Sequence, residues 1–263
     1  MLFIAKEMIT GFKHLFSRGR FRFVLIFLSL LAATISVSEL LVMKFFATLV
    51  LHEGEYSSNT FLFAAIGFFI FFLVTRISQF YQRNYRVKAF ARSFRATNKG
   101  IKKKRKVENL EWAMAFELTN VLSLGAQLAA ITLFFLILNP VIALLNAILI
   151  SMILHVVGVL FRNQIQIQAE LAAKKGKERA KPDKRYGVRI RAAETGTLAS
   201  GAGMLILLAM LLIYHLNDHI SAANTLVFFL GARLQNSVIS NASRSLMRYA
   251  KSNSRTAVDD DSE

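Results

Sequence analysis

Apolar and polar positions alternate along this chain in long blocks rather than residue by residue. The clearest block is the pair of runs at 121–138 and 141–161, 18 and 21 residues long without a charged side chain. At about 1.5 Å rise per residue, a helix of that length nearly or fully crosses a hydrocarbon core of roughly 30 Å. Only Asn139 and Pro140 separate the two runs. Proline suits a first helical turn and disfavours helix just before it, so one helix is predicted to end here and another to begin. A joint that short makes the two arms antiparallel.

The rest of the chain repeats this arrangement. Residues 3–16 carry Ile4, Met8, Phe12, Leu15 and Phe16 on one helical face and Lys6, Lys13 and His14 on the other. That spacing suits an elbow helix lying in a membrane interface, and its interrupted apolar positions do not make a signal peptide. Further spans are predicted at 23–43, 60–75, 197–214 and 220–240. The second continues helically to about Arg95, with a break at 98–100, and residues 109–120 lead helically into the third. After the fourth span, a turn is expected at 181–187, with one helix ending near Ala180 and another starting after Gly187. Gly196, Ala199, Ser200 and Gly203 form small-xxx-small pairs that allow close helix packing. The residues from 251 to 263 are polar, end in an acidic cluster and read as a disordered tail.

Charge fixes the expected orientation. The formal net charge is +17, with 33 Lys and Arg. Five fall in 1–22, twelve in 76–112, ten in 162–195 and five after Gly231; Lys44 completes the set. The short connections at 52–59, 139–140 and 215–219 hold none. Cytoplasmic loops collect Lys and Arg, so six spans with both termini in the cytoplasm follow. The fold class is all-α, a polytopic membrane protein with helical cytoplasmic extensions, occupying 1–250. The basic loops match anionic lipid headgroups. Because they flank apolar spans, they do not argue for nucleic acid.

Candidate chemistry is sparse. The sixth span carries Arg233, Ser237, Ser240, Asn241, Arg244 and Arg248 along one side at helical spacing, and Leu230, Leu234, Val238, Ala242 and Leu246 along the other. Arg233 lies about 20 Å into that helix, where a guanidinium is costly against lipid. The face is expected to look into a bundle interior or a watery cavity, unless the helix emerges early and Arg233 snorkels. Glu39, deep in the first span, either reaches local water or faces the same cavity. His215, Asp218 and His219 are too few and too exposed for a specific metal site. No Ser/His/Asp or paired-carboxylate arrangement stands out and no G-x-x-x-x-G-K-[ST] occurs, so the chain is not expected to be an enzyme or to hold a cofactor.

In layout, residues 1–250 resemble the six-helix transmembrane domain of ABC exporters. The residues that carry the likeness are 134–145 at the third-to-fourth turn and 220–229 at the entry to the sixth helix, where Ala223 replaces a common glycine. The resemblance implies a permease subunit of a homo- or heterodimer that moves its substrate by alternating access. ATP would be used by a separately encoded nucleotide-binding subunit, in a bacterial-type inner membrane. It further implies that Arg233, Ser237, Ser240, Asn241, Arg244 and Glu39 line the pathway. Asn98, Gly100, Lys181, Pro182, Asp183 and Gly187 would then contact the ATPase at the tips of the cytoplasmic arms. The second arm is short for that role: two antiparallel helices of about 15 residues reach only about 22 Å. A non-transporting membrane scaffold with the same layout is the alternative.

Overall fold

The computed structural model describes residues 2–16, 19–51, 58–97, 105–173 and 182–260. All the regular structure there is helical: α1 (Leu2–Leu15), α2 (Gly19–Val50), α3 (Ser58–Thr97), α4 (Arg105–Leu138), α5 (Pro140–Ala173), α6 (Pro182–Leu216) and α7 (Ala222–Asp260). Five of these contain stretches long and apolar enough to cross a membrane: Arg22–Val50, Phe61–Gln82, Glu108–Leu138, Pro140–Leu171 and Tyr186–Leu216. Each overlaps one of the first five expected spans. Large side chains such as Phe69, Leu73, Leu133, Ile137, Leu198 and Leu205 stand exposed on their outer faces. Such surfaces suit lipid and not water, and mark an integral membrane protein. α7 is absent from that set because its charged and amide residues interrupt any apolar window.

Local chemistry sets the joints. The α4–α5 break is a single residue, and the Asn139 carboxamide oxygen caps α5 by accepting from the amides of Val141 and Ile142 at 3.0 and 3.1 Å. Pro140 follows at the first helical position, where its missing N–H leaves no bond unmade. The α6–α7 turn closes differently. Asp218 adopts a left-handed conformation, φ 55°, and the amides of Asp218 and His219 return to the carbonyls of His215 and Tyr214, each at 3.0 Å. That pairing is a Schellman ending with aspartate in the position glycine usually takes. Ser221 then caps α7 through the Asn224 amide.

Two boundaries differ from expectation. The helix predicted to start after Gly187 begins at Pro182, and Gly187 lies within α6. Proline and glycine together read as a turn, but a proline is also compatible with a first helical turn. At the other end, α7 continues to Asp260, so residues 251–260, expected to be disordered, are helical. The break expected at 98–100 and the helix end expected near Ala180 lie outside the described residues.

α7 is the packing centre, touching α2, α4, α5 and α6, whereas α3 packs substantially only on α2. Two apolar clusters fill the bundle. One joins Leu25, Met114, Leu118, Val157, Phe161, Ile239 and Met247; the other joins Leu40, Ile131, Phe135, Leu207, Val227 and Phe228. Gly231 lets Phe135 and Leu40 close on α7: a β-carbon there would meet Leu40 at 3.0 Å and the Phe135 ring closer still. On α6, a β-carbon at Gly196 would collide with Ser243 of α7, and Gly203 lies against Ile153 of α5. The small residues of α6 therefore serve close approach, as their spacing suggested. The apolar face of α1 is also spent within the protein. Leu15 and Phe16 are buried in the first cluster, with Ile4, Met8 and Phe12 packed against it.

Candidate functional site

α7 presents its charged residues on one exposed strip. Arg233, Ser237, Asn241, Arg244 and Arg248 are all exposed, at steps of three and four residues. Ser240, counted with them from the sequence, is buried at 8 % exposure: one residue before Asn241, it turns about 100° away toward the core. Two of the arginines are tethered. Arg244 pairs with Glu194 of α6 at 3.3 Å, and Arg248 with Glu117 of α4 at 3.3 Å. Arg233 has no carboxylate partner among the described residues. It lies about 17 Å along α7 from Ala222.

Glu39 does not join this strip. Its carboxylate accepts from the Gln79 side-chain amide at 2.9 Å, across the α2–α3 seam. Arg76 reaches the same Gln79 carbonyl oxygen at 3.4 Å and stacks over Phe72. The neighbouring Leu40 points the other way, onto Gly231 of α7. Of the expected partner contacts, Asn98, Gly100 and Lys181 lie outside the described residues. Pro182 and Asp183 open α6, and Gly187 has open space around it. No group of three His, Asp or Glu among the described residues is placed to hold a metal.

The inner face of α7 holds a feature the sequence reading missed. Asn146 of α5 and Gln235 of α7 exchange two hydrogen bonds, each 3.0 Å, at 1 % and 5 % exposure. Ser200 of α6 donates to Asn236 of α7 at 2.5 Å. A void of about 10 Å³ lies between them, lined by Asn146, Ser200, Gly203, Gln235 and Asn236, with the centre of one water as its limit. Lower on α7, Asn120 of α4 donates to Ser245 at 2.6 Å, and Ser243 donates to the Ala193 carbonyl. Each bond satisfies a polar group that would be expensive to bury alone. Polar side chains thus fasten α7 to three neighbours, while its exposed strip stays open. Single amides inside apolar runs have no periodicity to reveal them; a lone Asn146 within 21 uncharged residues was the available hint.

No protein-family model matches the chain, and no curated protein matches it.

Proposed function

We propose that the chain is the membrane-spanning subunit of a transporter with an ABC-exporter-like layout. In this reading α7 is the sixth crossing, both termini are cytoplasmic, and two copies, or one copy and a related chain, enclose a central pathway. A separately encoded ATPase drives alternating access from the cytoplasmic side, and no chemistry occurs within this chain.

The observation that carries the reading is the exposed strip of Arg233, Ser237, Asn241 and Arg244 on a helix wedged among apolar spans. A guanidinium facing hydrocarbon is costly, so such a face is stable against water or another polar surface. Within one copy, the void enclosed by α5, α6 and α7 admits no more than a water. In this reading the pathway forms between subunits. Arginines on its wall favour anionic or amphipathic cargo.

The chain contains no cysteine, which makes the test direct. Ser237→Cys, in cells or vesicles, is expected to react with a membrane-impermeant maleimide, while Leu205→Cys on the outer face of α6 is not. Equal protection of both positions would refute a watery strip. Arg233→Ala and Arg244→Ala should then abolish export and leave membrane assembly intact. A stable monomer that never co-purifies with an ATPase from native membranes would overturn the transporter reading. The ion pairs of Arg244 and Arg248 favour one other reading, a non-transporting scaffold in which the strip is structural. Under it, the alanine variants keep function.

A further inference from the structure

Where α1 meets the bundle, an apolar groove of about 590 Å³ opens between α1, α2 and α4. Its walls are Met8 and Phe12 of α1, Ile26 of α2, and Leu118, Val121 and Leu122 of α4. Ile26 and Leu122, together with Ile9 at the edge, are exposed, so the groove opens on the outer surface of the bundle. The exposed Gly125 also lines it, and a β-carbon there would meet nothing within 4 Å. The residues from Leu118 to Ala126 span about 12 Å of α4, comparable with one leaflet of a 30 Å core.

Two cations close one end. Lys13 and Arg22 both border the groove. Arg22 is held there because its Nε donates to the Phe16 carbonyl at 2.6 Å and an Nη to the Lys13 carbonyl at 3.3 Å. α2 and α4 run parallel, with Ser29 against Ser123 and Ser36 against Gln127. Arg22 therefore sits at the Leu118 end. Neither cation has a carboxylate partner among the described residues. The occupant that complements this shape has an apolar chain and an anionic group at one end.

We infer that the groove between α1, α2 and α4 binds one anionic phospholipid, an acyl chain lying over Gly125 and the headgroup phosphate between Lys13 and Arg22. The site depends on membrane immersion of α2 and α4, and not on whether the chain transports anything. It gives α1 a role beyond packing: the helix supplies one wall and one charge of a lipid site, so lipid composition tunes how firmly α1 is seated.

The test is native mass spectrometry of the full chain in detergent, titrated with phosphatidylglycerol or with phosphatidylcholine of identical acyl chains. One phosphatidylglycerol should be retained in preference. Lys13→Gln and Arg22→Gln should each weaken it about fivefold, the effect of roughly 1 kcal/mol for a basic residue near an anionic surface. Gly125→Leu should fill the groove and remove retention of both lipids without lowering the melting temperature; Gly125→Ala should keep it. If Arg22→Gln loosens the α1–α2 joint, the exposed Lys13 variant still decides the charge argument. Equal retention of the two lipids, or lipid that survives Gly125→Leu, overturns the site. So does a groove filled by a second copy, seen as a dimer that Gly125→Leu dissociates. A chain that stays in solution without detergent would instead overturn the membrane reading beneath it.

Discussion

The Asn146–Gln235 pair gives the sharpest quantitative test of how α7 is held. Asn146→Leu removes one amide of similar size and strands the other, buried at 5 % exposure, without its two partners. An orphaned buried polar group costs about 1–3 kcal/mol. Interhelical hydrogen bonds in membrane proteins average about 0.6 kcal/mol, so two bonds give roughly 1.2 kcal/mol, within that range. Gln235→Met makes the reciprocal change. Each single variant should therefore lose about 1–3 kcal/mol. The double variant, apolar on both sides, should lose clearly less than the sum, with a coupling energy of about 1–2 kcal/mol. Reversible unfolding in mixed micelles, followed by helix content, measures all four proteins. Strict additivity would refute the reasoning, because it would mean that the two amides do not depend on each other.

Three other outcomes follow from particular contacts. Gly231→Ala places a β-carbon against Leu40 and the Phe135 ring, and should destabilise by about 1–3 kcal/mol in the same unfolding assay; no change would mean α7 sits further from α2 and α4. Asp218→Gly relieves a left-handed residue in an exposed turn and should stabilise by about 1 kcal/mol; a loss would show that the aspartate side chain has a task of its own. Burial, and secondarily the Glu7 carboxylate, push the Tyr249 phenol up to about 12. Below pH 10 its stabilising contribution is complete; above it the unfolded chain ionises first, so stability falls by about 1.4 kcal/mol per unit up to about pH 12. Tyr249→Phe should remove that part of the decline, and identical pH profiles for the two proteins would contradict the burial.

Much of the architecture was legible because bilayer crossing needs long, mostly apolar stretches, which five helices display. The α4–α5 joint was legible too, since Asn139 and Pro140 each have one strong local role. The strip on α7 could be read from spacing, as charged residues seldom turn inward. What escaped were the contacts made by inward polar groups. Gln235 and Ser240 stand beside the charged strip in sequence, yet a rotation of about 100° per residue carries them into the core. Glu39 was grouped with that strip by depth alone, and depth does not say which side of a helix a residue faces. Its partner, Gln79, sits on a helix whose rotation no pattern in α2 reveals.

The dependence of α3 on a single neighbour has a consequence for biosynthesis. Its aromatic contacts with α2, such as Phe45 on Phe71, involve residues that are synthesised before any of α4. The first hairpin can thus be completed during translation, waiting for nothing downstream, whereas α7, which fastens the remaining helices together, is made after all of them. Truncation before α7 should leave a well-inserted first hairpin and an unassembled remainder, a division that protease protection of nascent chains would display.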